Sequence, residues 1–148
     1  MINRRSSDYS FAENILLQVS RTFALNINVL SGILHQSVLF AYLFLRIADT
    51  IEDDPDLPAR EKEKLLKYFS SIFESPDIDF KRVDHFLSKL PLAWLKSEDP
   101  NHLLCRRTGV IINLWKKLPL GNKKIIQKVI IEMCQGMAMF ALRQEQQL

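Results

Sequence analysis

The stretch Tyr42-Leu-Phe-Leu-Arg46-Ile-Ala-Asp49-Thr-Ile-Glu52-Asp53-Asp54 constrains this chain more than any other. It sits in an apolar run of helical character that abruptly acquires an arginine and a cluster of acids. On a helix, Tyr42, Arg46, Asp49 and Asp53 stand at i, i+4, i+7 and i+11, so they share one face. Around that face Leu39, Phe40, Leu43, Phe44, Leu45, Ile47 and Ala48 read as buried. Ionised groups entering an apolar setting are costly unless paired or bound to a metal. Two carboxylates one turn apart suit a hard divalent cation, because Mg2+ is typically held by one or two carboxylates together with substrate phosphates. The plainer alternative is an Arg46–Asp49 ion pair at i, i+3 with exposed acids beyond it. Acids at a helix C-terminus oppose the macrodipole, so stability gives little reason to gather them there.

The rest of the chain also reads as helix. Only 4 Gly and 6 Pro are present, which favours long helices over a many-turned β architecture. Apolar residues at helical spacing predict a first helix from about Ser7 to Leu30, bent or interrupted at Ser20-Arg21-Thr22. A second runs from about His35 to Glu52 and is ended by Asp53-Asp54-Pro55, since proline opposes helix before itself. Further helices are expected over Ala59–Glu74, near Lys81–Leu90 with a short continuation to Leu95, over His102–Leu118, and from Lys123 to about Gln144. Ser75-Pro76-Asp77 reads as a loop, Lys96 to Asn101 as a polar connection, and Pro119-Leu-Gly121-Asn122 as a turn. The last helix should place Ile126, Val129, Ile130, Met133, Met137 and Phe140 on its inner side. It keeps its apolar content almost to Leu142 and then runs into Arg143-Gln-Glu-Gln-Gln-Leu148 without a Gly cap or proline. The expectation is therefore one all-α domain over residues 1–148 that is an incomplete part of a larger bundle. An apolar groove beside Asp49 should then lie exposed and offer a surface for self-association.

Composition narrows the function classes. The length suffices for one ordinary domain with a core. Hydrophobic residues at 47% and charged residues at 25% exclude a disordered chain. A net charge of +3, with no Lys/Arg block alternating with aromatics, argues against a nucleic-acid partner. The longest unbroken apolar run, Val38 to Leu45, is far short of the ~20 residues a membrane-crossing helix needs. The N-terminus Met-Ile-Asn-Arg-Arg lacks the apolar region of a secretory signal. The expected setting is cytoplasmic, or peripheral on a membrane. Cys105 and Cys134 have no CxxC partner and read as free thiols. Trp94 and Trp115 read as core or cavity packing, and His35, His85 and His102 show no metal-ligand spacing. No P-loop and no GxGxxG is present, so a Rossmann dinucleotide site is not expected.

A second polar insertion, Ser20-Arg21-Thr22-Phe23, lies one helix before the acidic stretch. By itself an exposed polar turn explains it better. Arginine nevertheless matches phosphate oxygens with a bidentate fork, and hydroxyls can donate to them. Together the two elements suggest a diphosphate held by Mg2+, guanidinium and hydroxyl groups.

These two motifs resemble the squalene/phytoene synthase family, and a weaker match continues into Met133-Cys-Gln-Gly136-Met137-Ala-Met-Phe140. Phe140 stands where phytoene synthases carry an aspartate, which leans the resemblance towards squalene synthases. The resemblance covers roughly Tyr9 to Leu142, the middle of it mainly in helical character. It implies an all-α isoprenoid synthase fold and head-to-head joining of two prenyl diphosphates, farnesyl diphosphate in the squalene-forming case. It also implies Mg2+ held by Asp49, Asp53 and Glu52, with Arg46 and Tyr42 orienting the diphosphate and the adjacent cation. Ser20 and Arg21 would contact diphosphate oxygens, Phe23 would line the hydrophobic channel, and Gly136 and Met137 would lie along the substrate. NADPH would be the reductant if squalene is formed, although no residue here marks its site. The family runs to about twice this length and carries a second Asp-x-x-x-Asp on a later helix. No such second pair is present in this sequence. Phytoene-, dehydrosqualene- or presqualene-diphosphate-forming activity therefore stays open, as does a non-catalytic lipid-binding or assembly role.

Overall fold

A computed structural model describes residues 3, 6–75 and 77–146. Pro76 of the expected loop, the charged N-terminal Arg4 and Arg5, and Gln147 and Leu148 at the C-terminus lie outside the described residues. Among the described residues the elements are α1 (Ser7–Val19), α2 (Arg21–Ile27), α3 (Gly32–Asp53), α4 (Ala59–Ser71), α5 (Phe80–Ser88), α6 (Leu92–Leu95), α7 (Pro100–Arg106), α8 (Thr108–Trp115) and α9 (Leu120–Gln146). No strand occurs among them, so the fold is all-α as the periodicity predicts.

Local chemistry sets the boundaries. The expected first helix is split by Ser20, which ends α1 and starts α2. Its N–H donates to Leu16 O at 2.8 Å, and its Oγ accepts from the Phe23 N–H at 3.2 Å. A serine hydroxyl satisfies one of the donors that a helix start leaves open. Gly32 opens α3 at φ +61°, a conformation that side-chain-bearing residues rarely adopt. Asp54 leaves α3 with extended backbone because Pro55 disfavours helix in the residue before it.

Several expected boundaries differ. The fifth helix divides at Arg107 into α7 and α8, and α7 begins before His102, at Pro100. Gly121 and Asn122 form no turn; α9 starts directly after Pro119, whose carbonyl accepts the Lys123 N–H at 3.0 Å. Proline is well suited to a helix start, where a missing N–H costs nothing. Asn122 then ties this start to α3 by donating to Ser37 Oγ at 3.0 Å.

The central helix is α3. One face of it is buried and packs against α1, α4, α7, α8 and α9, while α4 lies along α9. Of the residues expected to be buried around the acidic face, Leu45 is only partly so; Leu39, Phe40, Leu43, Phe44, Ile47 and Ala48 are fully enclosed. Phe44 forms the hub of an aromatic cluster, 5.0 Å from Phe73 and 6.2 Å from Trp115, both edge-on. Such pairs add about 0.5–1.5 kcal/mol each beyond the area they bury. The cluster anchors the middle of α3, so its C-terminal turns project from a rigid base.

The inner side of α9 matches the expected one at Ile126, Ile130 and Met137 and differs elsewhere. Ile126, Ile130, Cys134, Met137, Ala138 and Ala141 face inward, whereas Val129, Met133 and Phe140 are exposed. With Ile125 and Met139 also exposed, α9 is apolar on two sides and only one is covered. By length and composition α9 suffices to cross a membrane, a property that counting unbroken apolar runs does not detect. The same composition suits a helix packed among others, and α9 lies against both α4 and α3.

Candidate active site

The last two turns of α3 open into a cleft of about 400 Å³, walled by the turn after Asp54 and by the segment that carries α6 and the start of α7. Arg46, Asp49 and Asp53 all line it, as their shared helix face requires. Across the cleft stand Trp94, Asp99 and Asn101. Arg46 donates from Nε to Asn101 Oδ1 at 2.8 Å. Asn101 is itself held, since its backbone N–H and its Nδ2 both donate to Asp99 Oδ1, at 2.8 and 3.0 Å. At the rim, Asp54 Oδ2 accepts from Trp94 Nε1 at 2.8 Å while its Oδ1 accepts from the Asp56 N–H at 2.8 Å. The Trp94 ring stacks on His102 at 4.7 Å, and Arg106 donates to the carbonyls of Trp94 and Ser97. The facing wall is thus fastened to the acidic end of α3 at two points, Arg46 and Asp54.

The electrostatics of the acids follow from this placement. Burial raises the Asp49 carboxyl above its ordinary value, and neighbouring Asp53 raises it further against the opposing pull of Arg46. Glu52 is raised by burial, by Asp53 and by Asp49, with Lys62 opposing. Asp99 goes the other way. Burial pushes it up, but the two hydrogen bonds from Asn101, helped by His102 and Arg46, outweigh that and hold it low. No ion pair within 4 Å joins Arg46 to Asp49 among the described residues, so the plainer reading of the acidic stretch is not realised. Asp49 and Asp53 are instead two like charges in one cleft, the arrangement that a divalent cation relieves.

The donor set fits Mg2+ on one condition. Among the described residues no group of three or more His, Cys, Asp and Glu side chains converges on a metal position. Mg2+ is commonly held by only one or two carboxylates, with water and substrate phosphate completing the shell. Asp49 and Asp53 match that pattern, and the cleft leaves room for phosphate oxygens. Glu52 is not brought into this cleft. It lines a separate groove with Lys62 and Phe140, and Lys62 Nζ donates to its backbone carbonyl.

The other expected site residues are dispersed. Tyr42 stacks on Phe23 with ring centroids 4.0 Å apart and planes 15° off parallel, which ties α2 to the open face of α3. Ser20 spends its hydroxyl as the α2 cap, and Arg21 is exposed; neither lines the cleft. Met137 is buried against the core, while Gly136 is exposed, and a Cβ there would meet nothing within 4 Å. The residues that sequence reading missed are Trp94, Asp99 and Asn101. Asp99-Pro100 is a recognisable helix start, with an acidic cap followed by proline at the first helical position. That signal places α7 but says nothing of what Asn101 touches.

The chain is similar to known proteins in sequence and in fold. The sequence profile for squalene/phytoene synthase matches residues 16–147. A squalene synthase of Homo sapiens is 39% identical over 127 residues, covering 83% of this chain and 30% of that protein. One from Mycosarcoma maydis is 32% identical over 121 residues, covering 82% of this chain and 19% of that protein. The solved complex of TcSQS with the ligand E5700 superposes with a TM-score of 0.71 at 25% identity, covering 91% of this chain and 36% of that one. The chain therefore spans no more than 30% of these two relatives' length.

Proposed function

The chain belongs to the squalene/phytoene synthase family, and on that premise we propose that it carries one half of the diphosphate site of a Mg2+-dependent prenyltransferase that joins two farnesyl diphosphates head to head. One observation carries the reading. The cleft gathers the Asp49–Asp53 pair with Arg46, whose only side-chain hydrogen bond among the described residues is the one from Nε to Asn101. Its remaining guanidinium donors are available to an anion, and arginine presents them in the planar fork that phosphate oxygens match.

In this proposal Asp49 and Asp53 hold the metal and Arg46 binds diphosphate oxygens. Bound Mg2+ would supply neutralisation of charge on the departing diphosphate. Tyr42, backed by its stack on Phe23, offers a π surface of the kind that steadies cationic charge. Partly buried Val38, Ala41 and Leu45 flank Tyr42 on α3 and give an apolar surface that keeps water from a reactive allylic group. Only one Asp-x-x-x-Asp pair occurs in the 148 residues, so turnover is proposed for this site completed by a second one. We also place the protein in the cytoplasm or at a membrane surface, where a prenyl substrate would partition.

The test is incubation of the 148-residue chain, and of any longer product of the same gene, with labelled farnesyl diphosphate, Mg2+ and NADPH. Hydrocarbon product from the longer form, abolished by Asp49→Asn, is expected. Absence of product from both forms, with intact folding and no binding of farnesyl diphosphate, would refute the proposal.

A further inference from the structure

We propose that Asn101 is a positioning residue for diphosphate recognition: anchored on Asp99, it fixes the Arg46 guanidinium by its Nε edge so that the opposite edge faces the cleft. The inference rests on the reading of Arg46 as a diphosphate ligand and adds to it the group that aims it.

The argument starts from the orientation of the Asn101 amide. An asparagine side chain can present either its oxygen or its NH2 to a neighbour. Here Nδ2 donates to Asp99 Oδ1, which leaves Oδ1 as the atom directed at Arg46. The same Asp99 oxygen accepts the Asn101 backbone N–H, so the side chain is braced against its own helix start. Asp99 is held ionised by these contacts, which secures it as an acceptor in the neutral range. The chain Asp99–Asn101–Arg46 therefore has one sense throughout: carboxylate accepts from amide, and amide oxygen accepts from guanidinium.

This differs from a direct Arg46–Asp99 ion pair in its consequence. A carboxylate on the guanidinium would occupy its fork and cancel much of its charge. A neutral amide oxygen takes Nε alone and leaves the other donors and the full charge for a ligand. Arg46 and Asn101 are both only half-buried, and a free arginine at such a position would sample many rotamers. Fixing it before binding removes an ordering cost that the ligand would otherwise meet.

The test is isothermal titration of the full 148-residue chain with inorganic pyrophosphate in the presence of Mg2+. It uses the wild type, Asn101→Ala, Arg46→Ala and the double variant. Asn101→Ala keeps the backbone N–H that bonds Asp99, so the start of α7 is preserved. Arg46→Ala should weaken binding at least about tenfold. Asn101→Ala should weaken it roughly two- to tenfold, the range associated with immobilising one long side chain. In the Arg46→Ala background, removing Asn101 should cost nothing more, because its effect runs through Arg46. An equal loss in both backgrounds, or full affinity in Asn101→Ala, would overturn the inference. A wild type that does not bind would overturn the underlying reading as well, so the two failures are separable. If the alanine variant fails to fold, Asn101→Ser, too short to reach Arg46, carries the same prediction. The Arg46 Nε–H resonance gives a second readout, slow to exchange in the wild type and fast in Asn101→Ala or Asn101→Ser.

Discussion

Replacing Asp49 by asparagine should stabilise the ligand-free protein while weakening it as a metal–diphosphate site. Asn is nearly isosteric with Asp, and the two have similar helix propensities, so the change removes a charge and little else. Three costs of that charge disappear. Like charges at i, i+4 on a helix cost about 0.2–0.5 kcal/mol, and Asp53 stands at that spacing. A carboxylate near a helix C-terminus opposes the macrodipole by about 0.3–1 kcal/mol, and α3 has no basic residue in its last turn to offset it. Partial burial adds a desolvation penalty. Arg46 works against these terms, without contact. The net gain should be roughly 0.5–1.5 kcal/mol, or a rise in Tm of about 1–5 °C for a chain of this size.

The pH dependence checks the cause. The Asp49 carboxyl is raised in the folded chain, so the folded form holds this proton to higher pH than the unfolded form does. Its penalty is absent below the ordinary value of 3.8, grows as pH rises through the raised folded value, and is complete above it. Melting curves of wild type and Asp49→Asn should coincide near the bottom of that window and separate above it. Addition of Mg2+ and pyrophosphate at neutral pH should then reverse the order, because stabilisation by a ligand follows its affinity. A variant that melts below the wild type at neutral pH without ligand would show that the carboxylate serves the fold, and the case for a cation site would fall with it.

Trp94→Phe keeps the stack on His102 but removes the indole donor to Asp54, and should cost about 1.5 kcal/mol, the lower end of the range for a hydrogen bond to a charged group. Urea unfolding followed by circular dichroism measures it, and an unchanged midpoint would mean that the facing wall is not fastened there. Burial pushes both thiols, Cys105 and Cys134, up to about 12, so neither should react with a disulfide reagent in the native state near neutral pH and both should react after denaturation. Rapid native labelling of either would reveal local opening of α7 or α9.

Helix content was legible because apolar spacing is a local property, and Phe44 and Trp115 read as buried on the same ground, although their contact with each other did not. Failures came where the pattern was satisfied twice. In α9 both the Ile126–Ile130–Cys134 stripe and the Ile125–Val129–Met133 stripe recur at helical spacing, and only packing decides which one turns inward. Ser20 shows a related ambiguity: its hydroxyl reads as a phosphate ligand or as part of an exposed turn, and here it caps α2 by accepting the Phe23 N–H. Cys105 stands beside Arg106 and Arg107 in sequence, yet it is fully enclosed because α7 turns that side towards α3.

The acidic pair and its arginine were legible for a different reason. They lie on one helix, and helix geometry converts spacing directly into a shared face. What completes the cleft comes from far along the chain, with Asn101 55 positions from Arg46 and Trp94 40 positions from Asp54. No periodicity encodes such contacts, and Asn101 carries no chemistry that would single it out in a polar stretch. Its place is set by two ordinary devices, an aspartate cap with a following proline that starts α7, and an indole that fastens the preceding turn to Asp54. The charged half of the site is therefore written in a local pattern, while the half that would aim it depends on the fold. If Asn101 proves coupled to Arg46, a reading confined to charged residues would find the ligands of such a site and miss the neutral group that keeps the guanidinium both fixed and free to bind.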